Sequence, residues 1–354
     1  MEFCIELGHW RLRDHPPDRL VASVRTAESA GVHSVWVPED PFHWDAFALL
    51  GSLATATDRV RLGPGVTSPY LRPPHLQAMA ISTLDRLSQG RAFLGLGRSL
   101  PRWYQRLLSM DVGDPVRVME ETISLLRQWW SPPYQASAAG HFNVNRLTRE
   151  FHGVQPHLPI YLAAVGPRMV RLAARLADGI LLAWPSRHFL EITVKQFRQH
   201  AANAGRDPDN MAVIVQTGIR VTEAREEALD QLKEQMAVIH SVPGLGRALA
   251  SPGHNVAEVL ARVRSALRSE QVLAAGGWMR EFRQVADWSA VRAAIPSDLI
   301  DQVALVGPPS ALRRRLADYQ ALGVTHIFVP GPDTQASDEY RALLASIKPS
   351  AGNF

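Results

Sequence analysis

Short apolar runs alternate with amphipathic stretches along the first two thirds of the chain, and the pattern returns near its end. The apolar runs predict strands at Phe3–Leu7, Ser34–Pro38, Val60–Gly65, Ala92–Gly97, Ile160–Val165, Gly179–Trp184, Ala212–Ile219 and His326–Pro330. Most are nearly continuous in apolar residues rather than alternating. That is the pattern of strands covered on both faces, as in a parallel sheet. The stretches between them carry helical spacing, at Asp18–Ala30, Asp45–Ala56, His75–Leu87, Pro115–Trp130, Pro167–Ala177, Phe189–Ala204 and Thr222–Met236. Gly31 stands where a helix stop favours glycine, and Pro167 sits just inside a helix start, where its missing N–H costs nothing.

Eight strands with helices between them is the count of a (β/α)8 barrel. An open doubly wound sheet has about five to seven and would leave strands over as edges. The expected architecture is therefore α/β, a TIM barrel with insertions after strands 4 and 7, read as a single domain over residues 1–354. The first insertion, about 131–159, contains β-prone pieces such as His141–Asn145 separated by turn residues. The second, about 229–301, is mostly helical in pattern, with Val256–Leu267 and Met279–Ala294 as candidate helices. Connections this long in a compact domain are commonly lids or binding segments. Both are expected over the C-terminal mouth of the barrel, where active-site loops lie.

Composition narrows the function classes. Of 354 residues, 46% are hydrophobic and 20% charged, which excludes a largely disordered chain. The single cysteine, Cys4, excludes a scaffold stapled by internal disulfides. No basic segment followed by an apolar run opens the sequence, and no apolar stretch approaches the ~20 residues of a membrane span. A soluble, cytoplasmic protein is expected. The net charge is only +4, from 38 Lys and Arg against 34 Asp and Glu, although the sequence pI is near 9.5. Arginines are scattered apart from Arg313, Arg314 and Arg315, so a solvated helix face is favoured over a nucleic-acid surface.

The familiar phosphate loop, the nucleophile elbow of serine hydrolases and the paired-histidine zinc motif are all missing. The thirteen histidines are dispersed, and His152 and His157 have poor ligand spacing, so no protein-bound metal is expected. The informative residues follow strands. Gly63-Pro64-Gly65-Val66-Thr67 leaves the third strand, where glycines allow close backbone approach or simply make an exit turn. Gly95-Leu96-Gly97-Arg98-Ser99 leaves the fourth and either clears space beside a flat ring or turns the chain. Gly166-Pro167-Arg168 opens a helix, offering unpaired N–H groups for a phosphate, or an ordinary helix cap. Glu6, Glu39 and Asp40 are carboxylates at strand ends. If the barrel is right, all of these converge on one rim. Trp10, Trp36, Trp44, Trp103 and Trp184 lie near strand ends as pocket or core residues.

Three stretches carry a resemblance: GPGVTSPYLRPPHLQAMAISTLDRLSQGRAFLGLG, VGPRMVRLAARLADGILL and VALVGPPSALRRRLADYQALGVTHIFV. With IELG and VHSVWVPED near the N-terminus, they resemble the luciferase-like monooxygenase superfamily. The likeness is greatest to its branch dependent on coenzyme F420, such as the methylenetetrahydromethanopterin reductases. It covers about 1–220 and 303–335. The resemblance implies an oxidoreductase that moves a hydride between the deazaflavin F420 and a small organic substrate, in a homodimer. Gly65 and Val66 match a non-prolyl cis peptide and bulge that support the ring, with Thr67 beside them. Gly97, Arg98 and Ser99 match the loop near the ring and ribityl chain. Gly166, Pro167 and Arg168 match the phosphate-binding turn. Glu39 and Glu6 match acids beside the ring and near the reacting face, the two candidates for moving a proton.

Two positions depart from that pattern. Asp40 stands where a histidine is common, and Leu100 where an acidic residue often follows the glycines of the fourth strand. Two other readings follow from the same resemblance. One is an FMN-dependent monooxygenase. The other is a non-catalytic flavin-binding barrel, prompted by Leu100 and by the unfamiliar segment 229–301.

Overall fold

A computed structural model describes residues 1–8, 15–40, 42, 44–99, 103–105, 108–277, 279–332 and 337–349. Trp10 and Leu100 lie outside the described residues. In chain order the strands are β1 (Glu2–Glu6), β2 (Ser34–Val37), β3 (Arg61–Pro64), β4 (Leu94–Leu96), β5 (Gln135–Ala139), β6 (Asn143–Thr148), β7 (Ile160–Ala163), β8 (Gly179–Ala183), β9 (Ala212–Gln216), β10 (Ile219–Val221), β11 (Leu305–Gly307) and β12 (His326–Phe328). Eight of them make one parallel sheet in the order β3-β2-β1-β12-β9-β8-β7-β4. Bridges Leu62–Ala92 and Thr67–Leu96 join its two outer strands, so the sheet closes into a barrel. The eight strands expected from the apolar runs are these eight.

Residue alternation explains the continuous apolar runs. Phe3, Ile5, Val35, Val37, Leu62, Leu94 and Leu96 point outward into the core shared with the helices. Cys4, Trp36, Phe93, Leu181, Ile214 and Phe328 point inward and fill the barrel. Both faces are buried, so both carry apolar side chains. Gly63 and Gly95 point inward as well, and a Cβ at either would collide with the rings of Phe93 and Trp36. These two glycines exist for packing.

The covering helices are α1 (Pro17–Ser29), α2 (Ala46–Ala56), α3 (Pro74–Leu87), α4 (Pro115–Trp130), α5 (Pro167–Leu176) and α6 (Arg187–Asn203). The second insertion adds α7 (Arg225–Ser241), α8 (Val256–Ala266), α9 (Ser269–Ala274), α10 (Met279–Val285), α11 (Trp288–Ala294) and α12 (Ser297–Val303). The chain then continues through α13 (Pro309–Ala321) and α14 (Ser337–Ile347). Aspartates 45 and 114 cap α2 and α4 with their side chains.

The first insertion is placed differently from the expectation. It leaves the end of α4, not the end of a strand, and therefore starts at the face opposite the mouth. Its hairpin, β5 and β6, runs along the flank of α4. Glu121 accepts from the backbone N–H groups of His141 and Phe142 at 2.9 Å each, and Trp129 Nε1 donates to the Leu147 carbonyl at 2.9 Å. The returning strand is fastened near α3 by Asp85, which accepts from Val154 and Gln155 N–H groups at 2.6 and 2.9 Å.

The second insertion does follow the seventh barrel strand. It is tied at its base by the pair β10–β11 outside the barrel. It has a core of its own, including Leu232, Met236, Phe282, Val291 and Leu299, into which Trp184 from the barrel is packed. The single helix expected over Met279–Ala294 is two helices, because Asp287 starts a new one by accepting from Ala290 N–H at 3.0 Å. Among the described residues, no helix is long and apolar enough to cross a membrane.

Candidate functional site

The inward-facing residues at the C-terminal strand ends form the floor of the mouth. They are Glu6 on β1, Gly65 and Val66 after β3, Gly97 after β4, Ala163 on β7, Ala183 on β8 and Gln216 on β9. Most are small, and all but Gly97 retain solvent exposure although the layer below them is buried. The sequence-predicted exits of the third, fourth and fifth barrel strands are thus brought to one rim. The peptide bond Gly65–Val66 is cis. Val66 lies on Gly97, where a Cβ would be 2.5 Å from its Cγ2 methyl. Glycine at 97 is therefore what lets the β3 exit rest against the β4 exit.

Glu6 is held across the barrel. Gln216 Nε2 donates to Glu6 Oε2 at 2.5 Å. The two are 210 residues apart, so no local signal announces the pair. Glu39 is held on both oxygens. Thr67 Oγ1 donates to Oε2, while Arg72 Nε and Nη2 donate to Oε1 at 3.1 and 2.7 Å. Arg72 also reaches Asp45 Oδ2 at 2.6 Å and covers the Phe47 ring at 4.6 Å. Glu39 thereby fastens the strand exit bearing Thr67 to the start of α2, and its side chain is 7% exposed. Asp40 Oδ1 accepts from Phe42 N–H at 2.8 Å, which shapes the β2 exit.

Around this floor stand aromatic groups. Trp103 is buried and meets Phe42 edge-on at 5.4 Å, linking the β2 and β4 exits. The Tyr104 phenol is pushed up by burial, with Ser68 and Ser99 facing it. Ser99 itself adopts φ +50. Trp36 is interior packing against Phe93 and Phe328, Trp184 belongs to the core of the second insertion, and Trp44 is exposed.

The β7 exit leads into α5 with Gly166 as N-cap and Pro167 at the first turn. No side chain caps this helix. A Cβ at Gly166 would meet nothing within 4 Å, so the helix N-terminus opens on free space. An uncapped N-terminus with room before it suits an anionic group, since its N–H groups lack partners and the helix dipole favours negative charge. The expected charge of Arg168 is engaged elsewhere. Its Nη2 meets Asp114 Oδ2 at 2.8 Å, and this exposed pair holds the Asp114 carboxyl below the usual range.

The second insertion reaches the rim at two points. Arg98 Nη2 donates to the Pro243 carbonyl at 3.2 Å. His240, fully buried on α7, has Nε2 at 3.0 Å from the Trp184 carbonyl and Nδ1 at 3.1 Å from the Leu245 carbonyl. Burial pushes that imidazole down to about 4. No cluster of His, Cys, Asp and Glu suited to a metal ion occurs among the described residues.

Sequence reasoning missed Arg72 and Gln216. Arg72 lies inside the LRPP segment after β3, where a charged residue within an apolar, proline-rich run was the available signal. Gln216 ends an apolar strand and offers the same kind of signal.

A family model described as luciferase-like monooxygenase matches residues 3–326. A 5,10-methylenetetrahydromethanopterin reductase of Archaeoglobus fulgidus is 27% identical over 318 residues, covering 89% of this chain and 90% of the relative. Among solved structures, the coenzyme F420-dependent tetrahydromethanopterin reductase of Methanopyrus kandleri superposes with a TM-score of 0.74 at 23% identity, over 98% of both chains. An F420-dependent secondary alcohol dehydrogenase holding an F420–acetone adduct superposes with a TM-score of 0.70 at 18% identity, covering 98% of this chain and all of the other.

Proposed function

The chain belongs to the luciferase-like monooxygenase family, and within it we propose an oxidoreductase that transfers a hydride between coenzyme F420 and a small organic substrate. The two solved structures named for F420, and the methylenetetrahydromethanopterin reductase relative, support this reading. The observation that carries it in this chain is the shape of the mouth. Small, partly exposed residues (Gly65, Ala163, Ala183) end several strands there, with Val66 bedded on Gly97. The open, uncapped N-terminus of α5 stands at the same rim. These residues fit a tricyclic ring with a phosphate-bearing tail. FMN, which has the same general shape, is the alternative cofactor.

A deazaflavin, when bound, supplies a ring carbon that exchanges a hydride as a two-electron step. The protein supplies everything else. Gly65, Val66, Thr67, Gly97 and Ser99 support the ring, and the backbone N–H groups of Gly166, Arg168 and Met169 face the phosphate across the open turn that Pro167 sets. The Arg168 side chain joins them only by leaving Asp114, and that exposed pair contributes little to stability. Glu6, oriented by Gln216, holds or moves a proton at its carboxylate. Glu39, with both oxygens occupied, serves the site by fixing the Thr67 exit, and Asp40 by shaping the β2 exit. The second insertion excludes water from one side of the mouth.

The protein is placed in the cytoplasm as part of this reading, and acts as a homodimer. Exposed Leu76, Met79 and Leu87 on α3 support the second statement. Purification from a host that makes both cofactors tests the assignment. The absorbance of the bound molecule is expected to be that of F420. A two-band flavin spectrum would reverse the cofactor order. Cofactor binding with no redox activity towards any carbonyl or imine would favour the non-catalytic barrel.

A further inference from the structure

Arg98 is a charged residue at the rim that no salt bridge answers among the described residues. It follows Gly97 at the β4 exit, and its side chain runs to the Pro243–Gly244 turn of the second insertion. Its protein contact there is the Pro243 carbonyl, 3.2 Å from Nη2. A guanidinium carries five N–H donors in a fixed fork. Among the described residues no carboxylate lies within ion-pair distance of this one. The group is nonetheless only partly exposed. Arg91, similarly placed between elements, shows the contrast. Its guanidinium donates to the carbonyls of Ala54, Thr57, Val60 and Ser88 and to the Thr57 hydroxyl. A partly desolvated cation with one neutral acceptor is unfavourable unless an anion completes it.

The location says which anion. The Asp114–Arg168 pair and the α5 N-terminus lie at the β7 exit, on the side assigned to the cofactor phosphate. Arg98 instead faces the turn of the insertion that closes over the mouth. Arg72 is spent on Glu39 and Asp45, and Arg168 on Asp114, so among the described rim residues Arg98 is the fork left to hold one negatively charged group. Planar, bidentate recognition is what arginine provides for carboxylates and phosphates.

From this we infer that the substrate is an anion, a small molecule bearing a carboxylate or a phosphate that Arg98 clasps beneath the Pro243–Gly244 turn. The inference rests on the redox reading of the mouth, and it names the substrate class for that site. Gly244 has φ +90, and a Cβ there would stand 3.2 Å from Arg98 Nη2. The turn thus approaches the fork closely enough to cover a bound anion.

The test uses the full chain loaded with F420, its loading read separately from the visible absorbance retained after gel filtration. Phenylglyoxal labelling of Arg98 is followed by peptide mass spectrometry in succinate, in inorganic phosphate, and in chloride at matched ionic strength. Calorimetric titration of both anions is repeated on Arg98→Gln and Arg98→Lys. At least one anion is expected to slow labelling of Arg98 but not of exposed Arg187. Its affinity is expected to fall about 10–100-fold in Arg98→Gln and less in Arg98→Lys. Protection by succinate alone assigns a carboxylate, and by phosphate alone a phosphate. The inference is overturned if neither anion protects beyond chloride, or if wild type and Arg98→Gln bind both alike. It is also overturned if protection disappears once F420 is loaded, which would give Arg98 to the coenzyme. If Arg98→Gln does not fold, labelling of the wild type decides. If F420 does not bind, the redox reading fails by itself, and labelling of the unloaded chain still decides whether Arg98 holds an anion.

Discussion

Replacing Gly97 by alanine probes the contact on which the floor of the mouth depends. The new Cβ would lie 2.5 Å from Val66 Cγ2 and 3.5 Å from the Ala163 Cβ. Carbon atoms prefer about 3.5–4.0 Å, so roughly 1 Å of overlap must be relieved on the Val66 side alone. Valine has little χ1 freedom with which to yield. The strain therefore moves the β3 exit, and overpacking of this kind costs about 1–3 kcal/mol. Removing the offending methyls with Val66→Ala is expected to cost about 1 kcal/mol alone, because Val66 is only partly buried. The double variant should be less destabilised than the sum of the two, by about 1–2 kcal/mol, as expected for residues in direct contact. Urea unfolding of the four proteins gives the stabilities. F420 titration gives the affinities, with Gly97→Ala expected to bind about tenfold more weakly and the double variant to recover part of the loss. Strict additivity in stability, or undiminished F420 affinity in Gly97→Ala, would refute the account of Gly97 and Val66 as one support.

Three further outcomes are expected. Arg72→Ala should destabilise the protein by about 1.5–3 kcal/mol in urea, because it strands the nearly buried Glu39 carboxylate, and Arg72→Lys should rescue little because the forked contact is lost. Glu6→Gln should lower kcat by about 10²–10⁴-fold while the F420 dissociation constant stays unchanged; a matched loss of binding would remove Glu6 from proton handling. Burial holds His240 neutral in the fold down to about pH 4, whereas the unfolded chain takes up that proton below about pH 6.5. The unfolded state then binds more protons across this window, so stability should fall as pH drops through it, by roughly 3 kcal/mol in all for this group, and level off below. His240→Asn should flatten that slope in urea midpoints measured against pH. An unchanged slope would exclude His240 as its source.

The barrel was legible because its strands are short and buried on both faces. Their apolar runs needed no knowledge of partners to be read. The location of the first insertion was not legible, since a sequence shows that a segment interrupts the rhythm but not whether it leaves a strand end or a helix end. The split of Met279–Ala294 turned on one residue, Asp287, acting as a cap inside a helical pattern. In the site, the glycines and the acids could be named from their places at strand exits. What each acid does could not. Glu39 became a fastener through Arg72 and Thr67, which lie 33 and 28 residues away, and Glu6 acquired its orienting partner from the seventh barrel strand. Gly63 reads in the sequence as a close approach or an exit turn and Gly95 as space beside a ring or a turn, and the structure spends them on Phe93 and Trp36.

A crystal structure of the protein grown with F420 tests the central claim most directly. The account predicts the tricyclic ring lying against Gly65, Val66 and Gly97 within reach of Glu6, with its phosphate before Gly166 at the start of α5. A ring bound anywhere else, or a phosphate held away from that helix start, would contradict it.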